Sequence, residues 1–191
     1  MSKPVKVVLD TNIFVNPDSF RLFGANPIEA LRNVLNVLAH HKMLTCYIPP
    51  SVFEELMKFM EGAIMPESTV CIEKRPPASY ENTIPALLFY EFIEEMRLRI
   101  NKGLRVAEKF SRKGLQGEPE ETLIKSLREE HRVAMREGII DSKEDFDLIL
   151  LAKELGAHLA TVDNGLVKWA QKLGIPCIGG NEFKKLLQAP E

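Results

Sequence analysis

Both ends of the chain alternate short β-branched runs with helical spacings, and a long helical stretch lies between them. Val5-Lys6-Val7-Val8-Leu9 is apolar and compact and stops at Asp10-Thr11-Asn12, which reads as a buried strand closed by polar residues. Ile28, Leu31, Val34, Leu35 and Leu38 recur at helical spacing. Thr45-Cys46-Tyr47-Ile48 predicts a second strand, ended by Pro49-Pro50-Ser51. Ser51 is then placed to cap a helix through Val52–Leu56, with Glu54 completing a capping box. Residues 62–81 hold Gly62, Pro66, Pro76 and Pro77, so irregular chain is expected there, with a short strand at Val70-Cys71-Ile72.

Two long helical patterns follow, Thr83–Lys113 and Glu118–Glu137, with Gly114, Gly117 and Pro119 at the turn. They predict an antiparallel hairpin. Beyond Asp141, a helix runs from Asp145 to Leu155 and stops at Gly156. His158–Val162 predicts a strand ending at Asp163-Asn164-Gly165, Leu166–Leu173 a short helix, and Pro176-Cys177-Ile178 a last strand. Alternation of strand and helix implies a mostly parallel sheet, so the class is α/β. The organisation expected is one α/β domain from 1–81 and 138–191, with residues 82–137 inserted as a helical hairpin.

A chain of 191 residues suits one such domain plus an insertion. Hydrophobic residues at 45% and charged residues at 27% are ordinary for a globular protein. The net charge of −2 changes the picture more: a nucleic-acid binder with this total must concentrate its cations. It does. Arg97, Arg99, Lys102, Arg105, Lys109, Arg112 and Lys113 follow one another with Glu108 the only acid among them. Lys125, Arg128, Arg132 and Arg136 then recur at three- and four-residue intervals, a helical stripe leading towards Asp141. The ordinary use of such charges is a solvated face with Glu–Arg pairs; the alternative is a row of guanidiniums following a phosphate backbone. His131, on the same helix, suits packing or RNA contact. Three cysteines, with no C-x-x-C pair, argue against a disulfide framework or zinc ribbon and for reduced, buried thiols. No signal-peptide pattern precedes Val5, and no apolar stretch approaches the roughly 20 residues that span a bilayer. A cytoplasmic protein away from the membrane is expected.

The chemistry lies in aspartates. Asp10 and Asp163 each follow a parallel strand, which puts both on the carboxyl rim where ligands bind. Asp141 and Asp145, if both helical, share one face near a helix start. Each alone has an ordinary role, as a turn residue, cap or dipole partner. Four together repel one another unless a cation neutralises them, and hard oxygen ligands suit Mg²⁺ or Mn²⁺. Two such ions about 3.5–4 Å apart can activate a water and stabilise the leaving oxygen of a phosphodiester. Asp147 is a further candidate acid, although its position two residues past Asp145 points it off that face.

The runs Val-Val-Leu-Asp10-Thr11-Asn12, Glu54-Glu55-Leu56 after a strand and turn, Asp145 leading into Leu-Ile-Leu-Leu-Ala-Lys-Glu-Leu-Gly156, and Leu-Ala-Thr161-Val-Asp163 together resemble the PIN-domain nucleases over 1–60 and 139–185. The resemblance implies a three-layer fold and a metal-dependent ribonuclease. Asp10, Asp145 and Asp163 would be metal ligands and Asp141 an additional acid. It maps the helix glutamate onto Glu55, with Glu54 the alternative, and makes Thr11, Asn12 and Thr161 groups that orient the carboxylates. The long hairpin just before Asp141-Ser-Lys-Glu-Asp145-Phe-Asp147 is similar to the protein-only RNase P group, the homologs of Aquifex RNase P, also called RNA ligase partners. That likeness implies removal of the 5′ leader from precursor tRNA to leave 5′-phosphate and 3′-hydroxyl ends. It also implies substrate contacts from the arginines of the second helix, and a homo-oligomer. The hairpin itself points to self-association: Leu87, Leu88, Phe89, Phe92, Ile93, Met96, Leu98, Ile100 and Phe110 lie on more sides than two helices can bury. Two alternatives stand beside this reading. A toxin-like PIN ribonuclease on other RNA is typically shorter and lacks the basic hairpin. A non-catalytic RNA-binding adaptor of an RNA ligase would not need the full acidic set.

Overall fold

A computed structural model describes residues 4–60, 71–136 and 142–189. Five strands form one sheet: β1 (Val5–Leu9), β2 (Leu44–Ile48), β3 (Ile72–Lys74), β4 (His158–Ala160) and β5 (Cys177–Ile178). Their order is β3-β2-β1-β4-β5 and every pairing is parallel. Around them the chain forms α1 (Asn12–Val15), α2 (Pro17–Phe20), α3 (Pro27–Leu38), α4 (Pro50–Phe59), α7 (Lys143–Leu155), α8 (Asn164–Lys172) and α9 (Gly180–Gln188), and between α4 and α7 it forms α5 (Ala86–Leu115) and α6 (Glu120–Arg136). The α/β class read from the sequence stands.

β1 is the central strand, covered on both sides. Val7, Val8 and Leu9 are fully buried, which is why the run is continuously apolar rather than alternating. On one side of β1 the chain winds out through β2 and β3, and on the other through β4 and β5. The winding therefore reverses between β1 and β4, and in such sheets the crevice beyond those strand ends is where ligands bind. Helix α7 lies against β1 and β4 and touches α4 and α8. It buries Leu148, Ile149, Leu150, Leu151 and Ala152 in succession, so it is enclosed on nearly every side. Ser142 caps its start, and Gly156 ends it in the left-handed conformation at φ 57°.

Several expectations are corrected. Ser51 does not cap α4. Pro50 opens that helix, where a missing N–H costs nothing, and Ser51 sits in the first turn with its hydroxyl donating to Asp147 Oδ2 at 2.8 Å. β4 ends at Ala160 rather than Val162, although the Thr161 N–H still bonds the Ile178 carbonyl of β5 at 3.1 Å. β3 begins at Ile72, and Val70 lies outside the described residues. Helices α1, α2 and α9 are not among the elements predicted, although Phe183, Leu186 and Leu187 of α9 have helical spacing. α1 and α2 are single turns divided by Asn16-Pro17, and α9 starts at a Gly-Gly pair that reads as loop. Cys46 is buried, whereas Cys71 and Cys177 are only partly so.

The chain divides into two compact units, Met1–Asn82 with Ser142–Glu191, and Thr83–Asp141. In the second, α5 packs antiparallel on α6 through Gly103, Val106 and Phe110. Gly103 leaves room for the His131 ring: a Cβ there would stand 2.9 Å from its Nε2. That ring therefore packs on the partner helix. Arg99, which the sequence places among the basic residues of the hairpin surface, is buried instead, and its guanidinium donates to the Met135 carbonyl near the end of α6. Lys109 binds Glu130 at 2.7 and 2.8 Å, and Lys113 lies 3.8 Å from Glu118. A second apolar row on α5 (Phe89, Ile93, Ile100 and Leu104) remains exposed at helical spacing.

Candidate active site

The backbone N–H of Asp10 bonds to the Ala160 carbonyl at 3.0 Å, carrying the β1–β4 ladder one residue past the end of β1. This fixes Asp10 at the carboxyl rim, at the reversal of strand order. The residue is 4% exposed. Its Oδ1 accepts from the Asn12 N–H at 3.2 Å and the Thr11 hydroxyl at 3.3 Å. Oδ2 accepts from the Thr161 hydroxyl at 2.5 Å and from Asn12 Nδ2 at 3.2 Å. Thr161 in turn accepts the Asp163 N–H at 3.0 Å, so one hydroxyl ties the ends of β1 and β4 together. Burial pushes the Asp10 carboxyl above the usual range; the bonds from Thr161 and Asn12 oppose this, and the charge of Asp163 adds to it.

Asp163 is exposed and caps α8, with Oδ1 accepting the Leu166 N–H at 2.8 Å. That bond sets the direction of the carboxylate. Glu55, half-buried on α4, is also raised, first by burial and then by the charges of Asp10 and Glu144, with Lys58 opposing. Between the two glutamates at this point, it is thus Glu55 that lies within the field of Asp10, and Glu54 is exposed.

Asp145 occupies the first turn of α7, half-buried, with its backbone N–H donating to Ser142 Oγ at 3.1 Å. Asp147 faces α4, where Ser51 takes one of its oxygens. Asp141 lies outside the described residues. Helix α7 begins at Lys143, behind Ser142 as its extended cap. Among the described residues, no three His, Cys, Asp or Glu side chains converge closely enough to hold an ion together. The chemistry of the donors nonetheless fits a hard divalent cation. A buried carboxylate pressed by neighbouring acids is the state such an ion relieves, and oxygen ligands select Mg²⁺ or Mn²⁺. Glu144 carries no such signal in the sequence. Adjacent acids on a helix point about 100° apart, and it is the packing of α4 on α7 that brings the charge of Glu144 to bear on Glu55.

On α6, Lys125 and Arg128 are exposed. Arg132 is exposed as well and holds Glu129 at 2.5 and 3.1 Å, the solvated pairing that competes with a role in binding. Arg136 closes the helix, one further turn along.

The PINc domain ribonuclease family matches this chain over residues 6–190. An RNA-free ribonuclease P of Thermodesulfovibrio yellowstonii is 48% identical, over 97% of this chain and 94% of its own. Another, of Thermococcus onnurineus, is 45% identical over 96% of this chain and 94% of its own. Among solved structures, a PilT N-terminus domain protein of Sulfolobus solfataricus P2 aligns over 98% of this chain and 97% of its own, at 12% identity and a TM-score of 0.44, a loose likeness. With a ribonuclease family matched nearly end to end, and relatives this similar over almost their whole lengths, the chain belongs to the RNA-free ribonuclease P family of PINc domain ribonucleases.

Proposed function

We propose that this protein is a protein-only ribonuclease P, a metal-dependent endoribonuclease that removes the 5′ leader of precursor tRNA. Water adds to the phosphorus before the first nucleotide of the mature tRNA. The bond to the leader's 3′ oxygen breaks, leaving a 5′-phosphate on the tRNA and a 3′-hydroxyl on the leader. The observation that carries this is Asp10: a buried carboxylate at the strand-order reversal, held by Thr161 and Asn12, with Asp163 and Glu55 close enough to act on it.

Asp10, Asp145, Asp163 and Asp141 would hold Mg²⁺ or Mn²⁺. When bound, the ion supplies activation of the attacking water and stabilisation of the leaving oxygen. Thr11, Asn12 and Thr161 orient the Asp10 carboxylate, and the α8 cap orients that of Asp163. Glu55 adds negative charge near Asp10, and Glu144 near Glu55, which favours cation uptake over an empty site. Asp147, with an oxygen occupied by Ser51, contributes less directly.

Lys125, Arg128, Arg132 and Arg136 would receive the phosphates of the folded tRNA, read by shape rather than by base. Arg132 gives up Glu129 to do so, an exchange that costs little because exposed ion pairs are weak. The exposed row Phe89, Ile93, Ile100 and Leu104 supports self-association through the hairpin. Charging that row should yield a monomer by light scattering that cuts precursor tRNA poorly; a monomer cutting at the normal site and rate would exclude a functional role for assembly. No helix among the described residues is long and apolar enough to cross a membrane, and a cytoplasmic location goes with the substrate proposed.

Purified protein incubated with a precursor tRNA transcript and Mg²⁺ is expected to release the intact leader. Scattered cuts, or cleavage of other RNA only, would instead indicate a general PIN ribonuclease, and binding without cleavage an adaptor.

A further inference from the structure

One carboxylate on α7 serves none of the chemistry above, yet it is richly supplied with donors. Glu154 Oε1 receives Arg75 Nη2 at 2.5 Å, and Oε2 receives the Ala78 N–H at 2.9 Å. The Asn82 side chain, nearby, adds a smaller favourable interaction. These donors hold the Glu154 carboxyl below the usual range, the Ala78 N–H first and Arg75 with it. All of these donors come from residues 75–82, the strap by which the chain leaves β3 and runs to α5.

The strap is built to be stiff. The Arg75 N–H still bonds the Ile48 carbonyl at 3.0 Å, so its start is anchored to the sheet. Pro76 and Pro77 follow, each with φ fixed and no N–H to offer. Ala78 supplies the first amide after them, and that amide goes to Glu154. The Ala78 carbonyl then accepts the Glu81 N–H at 2.9 Å, and the Asn82 N–H and Nδ2 at 3.1 Å each. Ala78 is thus the hub of the strap, and Glu154 is what ties that hub to α7.

Helix α7 also carries Asp145, nine residues before Glu154, or about 13.5 Å along a rigid helix. The candidate catalytic acid and the tether of the strap therefore sit on one body. We infer that Glu154 is a positioning residue: it fixes the strap leading to the hairpin onto the helix that carries Asp145, and so keeps substrate grip in register with cleavage. The register part of this rests on the function proposed above, and the tether itself does not.

Amide hydrogen exchange and precursor tRNA cleavage, measured on the full chain, separate the two parts. In Glu154→Ala, exchange at Ala78 should quicken by about tenfold or more, because its N–H loses the carboxylate that accepts it. With precursor tRNA, KM should rise by about tenfold with kcat much less affected, and cuts should appear beside the normal site. Glu154→Gln keeps an acceptor for the Ala78 N–H but loses the charge opposite Arg75, so it should fall between the two, and it guards against a folding defect in the alanine variant. Unchanged exchange at Ala78 would overturn the tether. Faster exchange with wild-type KM and cleavage site would overturn the positioning role. A wild-type protein that leaves precursor tRNA uncut would refute the function proposed while the exchange result still stood.

Discussion

Asp145→Asn should bind precursor tRNA as the wild type does and fail to cut it. The substitution keeps the shape of the side chain and leaves the backbone N–H that bonds Ser142 untouched, so α7 keeps its cap. What it removes is one negative charge beside the proposed cation site. A loss of several kcal/mol of stabilisation in the transition state corresponds to a fall of about a thousandfold or more in cleavage rate. The Kd for precursor tRNA should stay within about threefold, since phosphate binding by the α6 cations is a separate source of affinity. Single-turnover cleavage together with filter binding measures both. Normal cutting would remove Asp145 from the site; loss of binding in step with cutting would make it a residue of substrate grip.

The converse is expected of Arg128→Ala combined with Arg132→Ala. Both side chains are exposed, and Arg132 pairs with its neighbour Glu129 on the same helix, so removing them leaves the packing of α5 on α6 intact. Without these two guanidiniums to neutralise phosphates, binding should weaken by about tenfold to a hundredfold, and the slope of log Kd against log salt should fall by about one to two. At saturating RNA the cleavage rate should largely recover, because the acids around Asp10 are untouched. Unchanged affinity and salt dependence would return these arginines to an ordinary solvated face.

The parts of the fold that could be read directly are those where local pattern and tertiary role agree. The run Val5–Leu9 is apolar throughout because β1 is covered on both sides, and the same pattern sets Asp10 at its end. Gly156 stops α7 where the pattern says it should, by ordinary capping chemistry, whereas the helix starts two residues before Asp145, behind Ser142. What sequence could not supply is direction. Ser51 has every local feature of a cap, but Pro50 starts the helix and the hydroxyl turns to Asp147, 96 residues away. Arg99 looks like one more basic residue in a charged run, and only the crossing of two helices shows that it is buried. Glu55 and Glu54 differ by a turn of about 100° that matters only once α4 is set against β1 and α7. In each case the residue type was informative and its partner was not.

The central claim is that acids at the carboxyl rim of the sheet, with a divalent cation, cut precursor tRNA at one bond. Mapping the ends produced from a precursor tRNA, with Mg²⁺ and with the metal chelated, tests it most directly. The expected result with Mg²⁺ is a single new 5′ end at the first mature nucleotide, bearing a phosphate, and a leader ending in a 3′-hydroxyl; with the metal chelated, neither forms. Cleavage that persists without metal, or ends carrying a 2′,3′-cyclic phosphate, would contradict it, because the RNA's own 2′-hydroxyl would then be the nucleophile in place of water.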